Sequence, residues 1–363
     1  MRRMREPSEK LHNALYFMSG MMCVILVLVI VVGVRTKAEN AGGRQAYVAE
    51  TQQEDAQPVV QAGAEGDDSE LEKWQEGTVD YQGKQYAYNT NLKTYLMMGI
   101  DKDDPVEDIK DYTQGGQSDA MFLLVVNDQT QEIKVISINR NTMTDIELCD
   151  EKGIDLGSLN AQICLQHAFG DGQRLSCSRT VDVVSKLFDN IPIEGYLSMN
   201  MGAIPQMNDA VGGVEVTVLQ KISVPDEGVD LKKGQKVTLN GTEAYYYLHG
   251  RDTKKYDSAT KRLRREEQYI VAYMDKLKKV AKEDPDNVTA IYDSISDYLV
   301  ASVDFTGMVE QFMNYDFSED QMYTVPGETT LGDPVNGVQY EEYHVDEDAM
   351  QDLVMQVFYT PVN

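Results

Sequence analysis

An α/β or α+β sandwich is predicted for this chain, preceded by a single transmembrane helix. Three observations carry that prediction. Thr94–Ile100, Ala120–Val126 and Glu132–Ile138 are apolar runs of strand length broken by turn residues. Downstream, segments of strand and helix periodicity alternate, as in an α/β or α+β sandwich. Near the start, Ala14–Val34 runs 21 residues without a charge, long enough as a helix to cross about 30 Å of hydrocarbon.

Taken in order, residues 1–13 carry Arg2, Arg3, Arg5 and Lys10, which place a short tail in the cytoplasm. Residues 14–34 are then a signal-anchor. A cleaved signal peptide would have a shorter apolar region ending at a small-x-small site, and no such site follows Val34. The expected location is the cell membrane, single-pass, with the main domain extracellular. Residues 35–77 form an acidic linker: between Glu39 and Asp80 there are eleven acids, with Arg44 and Lys73 the only bases. Val79–Tyr86 alternates around Gln82-Gly83 and predicts a hairpin opening the folded domain.

The three apolar runs hold the chemistry. Asn127–Thr130 is a short connection, so the second and third runs lie antiparallel. Asp101 follows the first run, Asp119 precedes the second and Arg140 follows the third. If the first run is also antiparallel to the second, all three charges meet at one edge of one sheet. Two carboxylates and a guanidinium there suit a divalent cation bridging phosphates.

Past Arg140 the pattern predicts a polar stretch, a helical Asn160–Phe169, and a helix capped by Ser176 or Ser178. A strand at Ile191–Met199, a short helix at Ala203–Val211 and a strand at Val214–Leu219 follow. Cys164 and Cys177 flank a Gly-Asp-Gly loop, and a disulfide closing it is expected outside the cell. No CxxC or zinc-type spacing is present. Thr242–Leu248 reads as helix or strand.

The formal net charge of −27 excludes a nucleic-acid partner, which needs a basic face. Against that background His249–Arg265 stands out, with seven Lys/Arg and two Asp. Leu263, Ile270, Met274, Leu277 and Val280 recur at helical spacing, so Arg262 begins or closely precedes an amphipathic helix. Arg262 and Arg265 then share one side of its first turn, where cations oppose the helix dipole. An anion at that N-terminus would account for them; a solvated basic face or contact with anionic lipid is the rival reading. No G-x-S-x-G, P-loop, H-E-x-x-H or G-x-G-x-x-G signature appears.

The order of L-M-M-G-I-Asp101, G-Q-S-Asp119-A-M, I-S-I-N-Arg140-N-T, E-A-Y-Y-Y-L-H-G-Arg251 and S-A-T-K-Arg262-L-R-Arg265-E-E-Q resembles the LytR-CpsA-Psr proteins. So does Asp209-A-V-G-G-V-E-V-T-V, and the similarity spans residues 78–282. The resemblance implies a single catalytic α/β domain, a central mixed β-sheet between helices, with an apolar tunnel for a polyprenyl chain. It implies a phosphotransferase that moves a glycopolymer from an undecaprenyl-pyrophosphate carrier to a peptidoglycan hydroxyl. On this sequence Asp101 and Asp119 match carboxylates associated with Mg²⁺ (or Mn²⁺), and Arg140, Arg251, Arg262 and Arg265 match arginines gripping the pyrophosphate. Asp119 and Arg140 are the catalytic candidates. The chain departs from the family where Gln117, Asp103 and His249 stand in place of frequent arginines. A membrane-tethered protein that binds or regulates lipid-linked or wall polymers without reacting them is the alternative. Residues 283–363 lie outside the resemblance and are read as a helical extension.

Overall fold

The computed structural model describes residues 77–250, 258–283, 293–303, 321–334 and 339–362, with 291 and 315 singly between them. The expected cytoplasmic tail, membrane helix and nearly all of the acidic linker lie outside the described residues, as does Arg251. Among the described residues no helix is long and apolar enough to cross a membrane.

The hairpin of β1 (Thr78–Tyr81) and β2 (Lys84–Tyr88) turns at Gln82 and Gly83, both at positive φ (47° and 76°), as the primed hairpin turns require. The three apolar runs become β3 (Leu92–Ile100), β4 (Ser118–Asn127) and β5 (Glu132–Ile138), each antiparallel to the next. On the other side of β3, β8 (Gly195–Asn200) pairs in parallel, which makes the sheet mixed. Side chains alternate across it. Tyr95, Met97, Phe122, Leu124 and Leu197 enter one core, while Leu96, Met98, Met121, Leu123 and Tyr196 enter the other. Central strands buried on both faces read as unbroken apolar runs, which is why they were legible.

The first core is closed by α2 (Ile204–Ala210), α3 (Gly241–His249) and α4 (Ser258–Glu283). The second is closed by α1 (Arg174–Leu187), α5 (Glu347–Phe358) and the 3₁₀ turn Ile163–Ala168. The result is a helix–sheet–helix sandwich. No serine caps α1: Gln173 holds the N-cap without a side-chain bond, and Asp171 just upstream accepts from Leu175 N–H (3.0 Å) and Ser176 N–H (3.1 Å). Asn240 and Glu243 form a reciprocal capping box at α3.

Four expectations need correction. The polar stretch after Arg140 is a hairpin of β6 (Met143–Cys149) and β7 (Asp155–Gln162), which takes in the first residues of the expected helix at 160. Six of β7's eight residues are exposed, so no alternation marked it. Cys164 and Cys177 are free, buried thiols. Cys177 Sγ faces His167 Nε2 at 3.6 Å and Cys164 Sγ faces Gln117 Oε1 at 3.7 Å. Helix α4 already runs from Ser258, so Arg262 and Arg265 lie beyond its first turn.

Residues 283–363, finally, are not an appended module. Here β13 (Leu299–Ala301) and β14 (Met322–Thr324) complete the sheet, in the order β13-β8-β3-β4-β5-β14. From the same stretch β17 (Tyr359–Pro361) pairs with β2, and β15 (Gly327–Leu331) with β16 (Glu341–Val345). Of the remaining small sheets, β9 (Val214–Thr217) pairs with β12 (Lys236–Leu239), and β10 (Ile222–Val224) with β11 (Val229–Leu231).

Candidate active site

The sheet edge where β3 ends, β4 begins and β5 ends carries the expected charges. Gly99 pairs with Ala120 and the next residue, Ile100, with Ser118, so Asp119 is the extra residue of a β-bulge. A bulge re-aims the inserted side chain, and here it turns Asp119 toward α4. Asp119 is 8% exposed. Its Oδ1 accepts from Arg140 Nε at 2.8 Å and its Oδ2 from Arg262 Nη1 at 2.5 Å, while Arg262 Nη2 donates to its carbonyl at 3.0 Å.

Arg140 sits in a turn fixed from several sides. Thr142 N–H and Oγ1 both donate to Asn139 O, at 3.0 and 2.7 Å. Cys164 N–H donates to Arg140 O (3.2 Å), and Tyr343 N–H to Asn141 O (2.8 Å). The guanidinium also donates to Asn141 Oδ1 (3.1 Å) and to Gln117 Oε1. Gln117 joins two site residues, since its N–H donates to Asp101 Oδ1 (2.5 Å) and its carbonyl accepts from Asp101 N–H (3.0 Å). The loop before it requires glycine. Gly116 has φ +82° and a Cβ there would meet Ile100 Cγ2 at 2.7 Å.

Burial, and then the charge of Asp119, push the Asp101 carboxyl up to about 6, against the pull of the Gln117 N–H and Arg140. For Arg262 burial works downward, but Asp119 and Glu266 outweigh it and hold the guanidinium above its ordinary value. Glu266 is the residue that sequence reasoning missed. It is 6% exposed, its Oε1 stands 3.2 Å from Arg262 Nε, and burial raises its carboxyl. The signal was there: Glu266 lies four residues past Arg262, the spacing of a helical ion pair.

Arg265 does not join this cluster. Its Nε donates to Tyr247 O (2.6 Å), and its two Nη donate to Gly250 O and Gln220 Oε1. Its guanidinium therefore clamps the C-terminal end of α3. Burial depresses it to about 10. At the start of α4, Ser258 N–H donates to Glu341 Oε1 at 3.1 Å. Glu341 also accepts from Asn141 Nδ2 (3.4 Å) and, through its carbonyl, from Gln162 Nε2 (2.6 Å). A residue of the C-terminal stretch thus bridges the Arg140 turn and α4.

Asp119, Arg140, Arg262 and Glu266 enclose about 10 Å³, the space of one water-sized sphere. A larger depression of about 340 Å³ lies at the start of α3, beside Asp209 and Glu227, away from this chemistry. Among the described residues no group of three or more His, Cys, Asp or Glu could hold a metal by itself. Asp101 and Asp119 are hard oxygen donors that feel each other's charge. Carboxylate oxygens are the donor type that Mg²⁺ and Mn²⁺ prefer, although here both Asp119 oxygens already accept from Arg140 and Arg262.

The model of the LytR_cpsA_psr family matches residues 53–357. The chain belongs to that family. The match runs through the C-terminal stretch, in keeping with the strands that it gives the sheet. Among named relatives, a polyisoprenyl-teichoic acid–peptidoglycan teichoic acid transferase TagU from Halalkalibacterium halodurans is 29% identical over 210 residues. That alignment takes in 57% of this chain and 62% of the relative, less than two thirds of its length. TagU of Bacillus subtilis is 26% identical over 266 residues, covering 72% of this chain and 76% of the relative.

Solved structures share the LytR-CpsA-Psr fold with this chain. Protein gbs0355 of Streptococcus agalactiae superposes with TM-score 0.55 at 20% identity, covering 74% of this chain and 87% of the other. TagV of B. subtilis gives 0.53 at 22%, covering 74% and 96%. TagT, in a structure described as bound to LI-WTA, gives 0.53 at 23%, covering 74% and 90%.

Proposed function

We propose that this chain is a membrane-anchored phosphotransferase that moves a glycopolymer from an undecaprenyl-pyrophosphate carrier to a peptidoglycan hydroxyl. The observation that carries the reading is the buried Asp119–Arg140–Arg262 cluster beside Asp101. The names of the relatives, teichoic acid transferases acting on peptidoglycan, point the same way. In this reading residues 14–34 anchor the domain at the outer face of the cytoplasmic membrane.

Phosphoryl transfer needs positioning and charge neutralisation more than covalent help from protein. Arg140 and Arg262 grip the diphosphate oxygens, each exchanging its bond to Asp119 for one to phosphate. The acceptor oxygen attacks the phosphorus that bears the polymer, the P–O bond to the lipid phosphate breaks, and polyprenyl phosphate leaves. The hydroxyl proton passes to a carboxylate, Asp101 or Asp119, whichever a bound cation leaves with a free oxygen. Mg²⁺ or Mn²⁺ bound at Asp101 and Asp119 would supply charge neutralisation of the diphosphate. Arg251, outside the described residues, and Lys102 are further candidates for the phosphates.

The test is turnover by the full-length protein in detergent with Mg²⁺, a lipid-pyrophosphate-linked glycan and peptidoglycan fragments. Transfer is expected, with Arg140→Ala slower by about 10²–10³, roughly 3 kcal/mol. Equal background rates in wild type and Arg140→Ala, with lipid still bound by both, would favour a tethered binding protein instead.

A further inference from the structure

The residues that flank the cluster bear on which polymer the site takes, an inference that rests on the transferase reading above. The loop that leaves β3 at Asp101 carries six acids through Asp111 against Lys102 and Lys110. Its first residues are firmly placed. Asn200 Nδ2 donates to Asp104 O (2.8 Å), and Gly202 N–H to Lys102 O (3.0 Å). Gly202 is packed so closely that a Cβ there would lie 1.6 Å from Asp103 O. Across from this loop, Tyr245 on α3 donates its hydroxyl to Asp103 Oδ1 at 2.6 Å. The Tyr245 ring stacks on His249, with centroids 5.3 Å apart and planes 22° from parallel. Tyr246 meets it edge-on at 5.2 Å. Asp103 stands two residues past Asp101 on this loop, so the rim that Tyr245 closes onto it adjoins the candidate carboxylate.

A polymer leaving the diphosphate across this rim meets aromatic rings and carboxylates. An uncharged pyranose suits that surface, because its C–H face packs on aromatic rings and its hydroxyls bond to the loop carboxylates. A chain with a phosphate in every repeat does not. Within one Debye length, about 8 Å, each phosphate would be repelled by Asp103 and Asp104. We propose that the Asp103–Tyr245–His249 rim is a sugar subsite that selects uncharged glycopolymers over phosphate-bearing ones.

The experiment gives the full-length protein two donors with the same polyprenyl pyrophosphate and a single first sugar. One continues as an uncharged oligosaccharide, the other as poly(glycerol phosphate). Wild type is expected to favour the uncharged donor by about tenfold or more in kcat/KM at low salt, with the ratio narrowing as salt rises. Asp103→Lys should narrow the ratio by speeding the polyanionic donor, and Tyr245→Ala should raise KM for the uncharged one. Equal kcat/KM for the two donors, or preference for the polyanion, overturns the proposal while leaving the transferase reading intact. A separate calorimetric titration with the free oligosaccharide and free poly(glycerol phosphate) needs no turnover. Selective sugar binding without transfer would sink the transferase reading and keep the subsite; neither transfer nor selective binding would overturn both.

Discussion

Asp119→Asn keeps the shape of the cluster and removes the charge that two buried guanidinia share. At 2.8 and 2.5 Å, with an effective dielectric of about 20, each contact is a gross attraction of ~6 kcal/mol. Desolvating the ions offsets most of that gain. The larger effect is therefore what remains after the change: Arg140 and Arg262 still buried, with Glu266 alone to balance them. Breaking a buried pair in this way costs about 3–5 kcal/mol, or ~6–20 °C in Tm for a domain of this size. Arg262→Met should cost a similar amount, because it strands Glu266. The double variant should lose less than the sum, by about 1–3 kcal/mol, since it removes one charge of each sign. Denaturation of the full-length protein in detergent, followed by near-ultraviolet circular dichroism, measures all three. Strictly additive losses, or an Asp119→Asn variant that melts with wild type, would refute the shared ion pair.

Arg265→Lys keeps a charge but loses the fork that reaches Tyr247 O, Gly250 O and Gln220. It should cost about 2–3 kcal/mol in the same melts and lower kcat less than Arg140→Ala does. The folded Asp101 carboxyl titrates near 6, above its ordinary 3.8, so the folded state holds that proton more tightly than the unfolded one. Its contribution to stability is therefore complete below pH ~4 and lost as pH rises through 6. Without divalent metal, Asp101→Asn should flatten that decline in a pH series of melting temperatures, and Mg²⁺ should recover stability for wild type above pH 6 alone. Glu267 follows the same sign at higher pH. Buried, with neither carboxyl oxygen hydrogen-bonded among the described residues, it is pushed up to about 9, and Glu267→Gln should melt above wild type at pH 8–9. Cys149, Cys164 and Cys177 are free, so reductant should leave Tm unchanged, and a thiol reagent should reach them only after unfolding.

The site was legible where one strand end or one turn places a residue, and illegible where distant segments cooperate. Apolar runs fix β3, β4 and β5, and antiparallel pairing then forces Asp101, Asp119 and Arg140 to one edge whatever the helices do. The helical spacing of Leu263 and Leu277 correctly gave α4 an apolar face, which points Arg262 inward. It could not show that Arg265, three residues on, would be taken up by α3, because a carbonyl acceptor leaves no mark in sequence. The bulge at Asp119 was equally silent. The C-terminal strands were missed for another reason: β13 and β14 are three residues each, too short for a period to register, and their partners lie some 100 to 190 residues away.

The cluster is electrically balanced as it stands, and that constrains how it can work. Arg140 and Arg262 are matched by Asp119 and Glu266, and a further carboxylate, Glu341, accepts from Ser258 N–H of α4. A diphosphate entering this cluster adds negative charge that no described arginine has to spare. Releasing Arg140 and Arg262 from Asp119 provides donors, but it leaves the Asp119 carboxylate exposed to the incoming oxygens. Asp119 and Asp101 would be the residues to hold a divalent cation there, which would neutralise the freed carboxylate and lower the cost of ionising Asp101 that burial imposes. On the proposed reaction, then, metal and substrate should bind cooperatively, each paying part of the other's electrostatic cost, and Glu266 keeps Arg262 in place while Asp119 changes partners.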